Sequence, residues 1–339
     1  MMTEKAGLLV EEHRGPLVEC EYVGHLVAVD LNGAIVREIG NPRHVTYMRS
    51  AAKPFQALPF FARGLHRQLK LTEDEQAILT ASHRSQPFHV ETLESLMAKI
   101  GVEERQLACG AAYPLHGPSR VELLKREAPA RRLYHNCSGK HLGMLAVCRA
   151  AGYPEQGYEQ PSHPLQREII DLLSELSGCD AEDIAIGIDG CGLPVFGLPI
   201  YHMARAFLRL ARPETIGDGK LSAAASDLTA AMHTRPLWVS GSDLICPALL
   251  EDPNIVAKGG AKGIYCFALK EQGIGIAFKV MDGSEDKWPF VVASILMQIG
   301  YEDKRTIERL LRLCPVEIVN GSGTLVGEHR IGFDWNEDK

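Results

Sequence analysis

The chain has 339 residues, enough for two domains or for one large domain with an insertion at about 100–200 residues per domain. Apolar residues make up 45% and charged residues 23%, an ordinary balance for a chain that buries a core, which excludes a disordered or fibrous protein. With 43 acidic side chains against 36 basic ones the net charge is -7, so the basic field that nucleic-acid phosphates need is missing and no nucleic-acid partner is expected.

The first apolar run, Ala6 to Val10, is too short for the core of a signal peptide. No run approaches the ~18 uncharged apolar residues of a membrane helix. The expectation is a cytoplasmic protein with no membrane partner. The nine cysteines, an odd number, cannot all pair, and in a reducing compartment they read as buried hydrophobes, metal ligands or nucleophiles.

The segment LVAVDLNGAIVREIG predicts two strands joined at Asn32-Gly33, a pair suited to a tight turn. A helix follows Ser50, with Pro54 in its first turn, where the missing N–H is tolerated. Thr72 and Glu75 form a capping box that opens the next helix. Another helix runs from about Phe88 to Ile100 and stops at Gly101. Helical spacing recurs over Ser138–Ala151, ended by Gly152, and over Pro164–Leu176, ended by Gly178. Ile184–Ile188 reads as a short buried strand. Tyr201–Leu210 and Ser222–His233 read as helices, and Ile264–Leu269 and Ile274–Val280 as paired strands. Helices over Pro289–Ile299 and Lys304–Leu313 and a strand over Thr324–Phe333 follow. Strands, a helical middle over about 70–235, then strands and helices again predict a mixed α+β sheet with a helical insertion across 1–339, not a regular βαβ alternation. No G-x-G-x-x-G follows a strand and no Walker A sequence is present, so no nucleotide cofactor is expected.

Five clusters could carry chemistry. Ser50-Ala51-Ala52-Lys53 is an S-x-x-K at a helix start, where residues three apart share a face. A serine needs a base to become a nucleophile, and a lysine serves if burial lowers its pKa. The ordinary alternative is a serine cap followed by a surface lysine. His135 to His141, HNCSGKH, packs Cys, Lys and His at a second helix start, which also reads as a capped helix with a satisfied histidine. Asp189-Gly190-Cys191-Gly192 follows a strand, as a site or as a tight turn with a buried cysteine. Ser82-His83 is not a dyad, because adjacent side chains point apart. Lys258 to Gly263, KGGAKG, lacks P-loop spacing and resembles the K-T-G element of the β-lactamase group, or an ordinary turn.

Together MRSAAKPFQALP, LTASHRSQPFH, LYHNCSGKHLGML, GIDGCGLPVFGLP and GGAKGIY resemble the asparaginase II family of the Rhizobium etli inducible type, over about residues 18–333. The resemblance implies an α/β fold related to serine β-lactamases, penicillin-binding proteins and glutaminases, with an antiparallel-rich sheet flanked by helices and a helical subdomain. It implies hydrolysis of L-asparagine to L-aspartate and ammonia by a homodimer. It makes Ser50 the nucleophile, Lys53 its base, and Ser82 with Lys262 a second serine–lysine pair. It also makes Cys137, Lys140 and Cys191 the ligands of a metal, zinc. Two thiolates suit zinc, and three protein ligands leave a position open. Charge complementarity adds Arg49 for the substrate carboxylate and Asp189 for its ammonium, with His141 as a further binding residue. The competing readings are a zinc-dependent amidohydrolase that uses metal-bound hydroxide, a thiol enzyme acting through Cys137 or Cys191, and a non-catalytic amino-acid-binding module.

Overall fold

The computed structural model describes residues 5–336. Its contacts divide into two units. A sheet unit takes the residues up to Ala51, Leu198–Leu208 and those from Asp243 onward; a helical unit takes Ala52–Gly197 and Arg209–Ser242.

Among the described residues, the sheet unit is built on eight antiparallel strands. Seven follow the order Glu317–Val319, Leu325–Ile331, Gly7–Arg14, Leu17–Val29, Ile274–Val280, Ile264–Leu269, Ile255–Gly259, and the eighth, Ile35–Ile39, pairs with Leu17–Val29. The register sets Val10 opposite Ile331, Leu26 opposite Phe278 and Lys258 opposite Cys266. Ile264–Leu269 is buried along its whole length, which is why it reads as a continuous apolar run and not as an alternation. One face is covered where the Trp288 ring, at the start of helix Trp288–Gln298, packs 5.1 Å from the Tyr265 ring. On strand Ile274–Val280 a Cβ at Gly275 would stand 2.2 Å from the Ala204 carbonyl oxygen, so glycine is what lets the helix backbone lie against the sheet. The predicted Asn32-Gly33 turn is present: Asp30 Oδ1 accepts from the Asn32 and Ala34 N–H groups, and Gly33 takes φ 81.

The helical unit is organised around Lys53–Ala62, buried over nearly its whole length against helices Gly219–Thr234, Ser138–Ala151 and Pro164–Ser177. The predicted capping box forms: the Glu75 N–H donates to Thr72 Oγ1 at 3.3 Å, and the Thr72 N–H donates to Glu75 Oε2 at 2.7 Å. Glu75 also accepts from Lys99 and Ser95 of helix Pro87–Ile100. Burial alone would raise the Glu75 pKa, but these donors outweigh it and lower it. Gly101, Gly152 and Gly178 end their helices in the left-handed conformation, with φ of 75, 69 and 66. Strand Ala185–Ile188 is present where Ile184–Ile188 is expected, but it is not buried: Ile188 is 62% exposed. It is the outer strand of a hairpin whose inner strand, Pro194–Pro199, takes the covered position. No described helix is long and apolar enough to cross a membrane.

Candidate active site

The residues singled out by sequence are divided between the two units. In the helical unit Lys53 opens the first helix with no exposed surface. Its Nζ lies 2.6 Å from the Ala81 carbonyl oxygen, 2.9 Å from Ser82 Oγ and 3.1 Å from the Asn136 carbonyl oxygen. Two of these partners are carbonyls, which can only accept. The third is a hydroxyl, which both donates and accepts. An ammonium satisfies all three. A neutral amine can still give its two N–H groups to the carbonyls and turn its lone pair to the Ser82 O–H. The arrangement therefore allows a proton to pass between Lys53 and Ser82 without moving a heavy atom.

A close approach brings the Ser82 loop to the HNCSGKH segment. Helix Ser138–Ala151 starts against the 3-10 turn Ile78–Thr80, and a Cβ on Gly139 would fall 2.2 Å from the Ile78 carbonyl oxygen. One turn later, a Cβ on Gly143 would stand 3.0 Å from Leu79 Cδ2. His83 joins the same two segments. Ser138 Oγ donates to the Leu133 carbonyl at 2.9 Å and so accepts from His83 Nε2–H at 2.8 Å. Burial, then the neighbouring His89, hold the His83 pKa well below the usual imidazole range. Gly139→Ala is expected to destabilise the chain by about 1–3 kcal/mol, because backbone must shift to admit the methyl group. Thermal unfolding measures this, and an unchanged melting temperature refutes the close-packing account.

Cys137, Lys140 and Cys191 come together in this unit, all buried. Cys137 precedes the helix, Lys140 lies on its first turn, and Cys191 arrives from the turn after Ala185–Ile188. A hydrogen bond from Cys191 and the charges of Lys53 and Lys140 hold the Cys137 thiol well below its usual range despite burial. The same bond, with burial, pushes Cys191 up. Burial would lower Lys140, but Cys137, Cys191 and Asp189 outweigh it and raise its pKa. Lys140 Nζ also reaches Gln56 Oε1 at 3.4 Å. Among the described residues no group of three His, Cys, Asp or Glu side chains could hold a metal ion. Two sulfur donors and a lysine amine nevertheless fit zinc in donor type, provided that Lys140 gives up its proton on ligation. None of the nine cysteines is in a disulfide.

Two residues without a sequence signal join this neighbourhood. His141, fully buried, meets Tyr158 through its Nδ1 at 2.6 Å. Burial, then Lys140, lower the His141 pKa well below the usual range. Cys109 lies within the electrostatic reach of Cys137 and Lys140; burial first, then Cys137, push its thiol up to about 12. Neither Tyr158 nor Cys109 stands in a recognisable motif, and only the folded chain places them here. Asp189 is half-buried, with one oxygen accepting from the Gly190 N–H.

The sheet unit holds the remaining residues. Arg49 and Ser50 lie in the 3-10 turn Arg49–Ala52, which runs directly into the Lys53 helix. Arg49 has φ 52, a left-handed conformation that is strained for a non-glycine residue, and Ser50 is 9% exposed. Lys262 is exposed on the turn between strands Ile255–Gly259 and Ile264–Leu269, its backbone N–H bonded to Glu285. The neighbouring Lys258 is 1% exposed on strand Ile255–Gly259, and its Nζ donates to the Gly259 carbonyl at 2.9 Å. The sequence motif contains both lysines, and spacing alone does not separate the buried one from the exposed one.

Several solved structures resemble this one at low identity. A Bacteroides dorei protein described as a β-lactamase aligns at 13% identity and a TM-score of 0.46, over 81% of this chain and 92% of its own. The structure of Mglu in its native form aligns at 14% and 0.43, over 86% of this chain and 63% of its own. A penicillin-binding protein homologue from Caulobacter crescentus aligns at 15% and 0.40, over 77% and 86%. No curated protein matches the sequence. The family model for L-asparaginase II matches residues 10–331, a span that contains the S-x-x-K turn, the Lys53–Ser82 contact and the Cys137, Lys140 and Cys191 cluster together; the chain belongs to the L-asparaginase II family.

Proposed function

We propose that this protein is an L-asparagine amidohydrolase that releases L-aspartate and ammonia through an acyl-enzyme on Ser50. Family membership supports the amide substrate. The observation that carries the serine–lysine reading is the buried Lys53 amine, held by two carbonyls and a serine hydroxyl. Lys53 takes the Ser50 proton, Ser50 attacks the side-chain amide carbon, and backbone N–H groups of the turn hold the oxyanion. The protonated amine returns its proton to the departing ammonia, and water then hydrolyses the β-aspartyl ester. Ser82, bonded to Lys53, relays protons. Arg49 takes the substrate carboxylate, and Asp189 its ammonium. The match to the family carries the role of the second lysine of the mechanism to Lys262. An ammonia-release panel over L-asparagine, L-glutamine and small amides tests the reading. Turnover of L-asparagine is expected, and binding without ammonia release would mark an amino-acid-binding module instead.

Cys137, Lys140 and Cys191 would hold zinc, which when bound supplies a Lewis acid to orient and polarise the substrate. Cys137→Ser and Cys191→Ser are each expected to lose most of the metal, read by elemental analysis of the purified protein. Equal metal content in the variants and the parent would remove this site. Chelation that abolishes turnover outright, with Ser50→Ala still active, would favour the metal-hydroxide mechanism.

A further inference from the structure

His141 and Tyr158 form a short polar chain inside the helical unit. The Tyr158 oxygen accepts from the Ala108 N–H at 2.8 Å and lies 2.6 Å from His141 Nδ1. The two rings meet edge to face, 5.7 Å apart at 80°. Both side chains are buried, so each proton on the chain must be accounted for. A backbone N–H can only donate, so the Tyr158 oxygen is an acceptor toward Ala108. The phenol still has its own hydrogen, and His141 Nδ1 is the acceptor 2.6 Å away. If Nδ1 carried the proton instead, the Tyr158 oxygen would receive two donors and its own O–H would be left without an acceptor. The tyrosine therefore donates to Nδ1, and the neutral ring carries its proton on Nε2. That nitrogen is buried and has no hydrogen-bond partner among the described residues. A buried N–H without an acceptor is unfavourable, and a ligand oxygen would satisfy it. It stands one residue after Lys140 and one helical turn after Cys137.

We infer that Tyr158 is a positioning residue that holds His141 as the Nε2–H tautomer, so that the imidazole offers an N–H donor to an oxygen of the bound amino-acid substrate. A nitrogen that carries a proton has no lone pair for a metal, so the same tautomer keeps His141 out of the ligand set of Cys137, Lys140 and Cys191. The substrate half of this inference rests on the asparaginase reading; the tautomer half does not.

The test uses the full chain labelled with 15N-histidine. Long-range proton–nitrogen correlation reports the tautomer, with the His141 signal assigned by its absence in His141→Gln. The wild-type signal is expected to show the Nε2–H form, and an Nδ1–H pattern overturns the inference whatever the activity. In Tyr158→Phe the Nδ1–H form is expected to become populated. The KM for L-asparagine is expected to rise roughly tenfold while kcat changes far less, as for a lost contact made equally to ground and transition states. His141→Gln, whose amide offers an N–H near the Nε2 position, should retain more of the binding than His141→Leu. An unchanged tautomer and KM in Tyr158→Phe, or a fall in kcat at constant KM, refutes the positioning role. If Tyr158→Phe does not fold, the wild-type spectrum and the His141 pair decide. If the wild type hydrolyses no amide, the asparaginase reading fails, while the spectrum still decides the tautomer.

Discussion

Ser50→Ala is expected to fold normally, bind L-asparagine and release ammonia at least about 10⁴-fold more slowly than the parent chain. The expectation is large because no other group replaces a nucleophile: the oxyanion donors and the base remain, but no acyl-enzyme can form. The structural cost is small. Ser50 lies in a 3-10 turn ahead of the buried helix, and alanine keeps its Cβ and its backbone N–H. Thermal unfolding and asparagine titration should therefore give values close to the parent, and an ammonia assay should show the loss. A variant that turns over at the parent's rate removes Ser50 as nucleophile. The thiol reading then becomes the first to examine, through alkylation and mapping of Cys137 and Cys191.

Lys53→Met is expected to lose both turnover and stability. Methionine fills the space of the lysine stem, so the change reports on the amine. Turnover should fall by about 10³-fold or more, the scale of losing a base that acts with its nucleophile. Two carbonyls, Ala81 and Asn136, lose this donor, and Ser82 loses its bond to the amine. A buried polar group left unpaired costs about 1–3 kcal/mol. A melting temperature several degrees lower is the expected reading. Loss of stability with full turnover would show that Lys53 only ties the Ser82 loop and the Asn136 segment together.

Much of the helical unit was legible from local chemistry. The Thr72–Glu75 box and the stops at Gly101, Gly152 and Gly178 each depend on a few neighbouring residues, and they lie where sequence places them. The sheet was less legible. Gly7–Arg14 is a strand because Leu17–Val29 and Leu325–Ile331 flank it, and five of its eight residues are polar or glycine. Pairing across some three hundred residues leaves no mark on the segment itself. Ile184–Ile188 shows the converse: an apolar run predicts a strand correctly, but its cover depends on which side of a hairpin it takes. At the site, the spacing of Cys137 and Lys140 is local and readable, whereas Tyr158 and Cys109 join through tertiary packing alone. In the KGGAKG segment the resemblance singles out Lys262, and the fold sets Lys262 on an exposed turn and Lys258 on a buried strand.

The strand order also sets a schedule for folding during synthesis. Leu17–Val29 emerges early from the ribosome, but its neighbour Ile274–Val280 lies some 250 residues downstream, and Gly7–Arg14 waits for Leu325–Ile331. The last segment of the helical unit ends at Ser242. At about 5–20 residues per second, the first hairpin of the sheet stays without its other partners for roughly ten seconds or longer, its edges open to other chains. Chaperone demand and aggregation during expression should therefore follow the sheet's first hairpin, while the helices that carry Lys53 and the cysteine pair are already assembled.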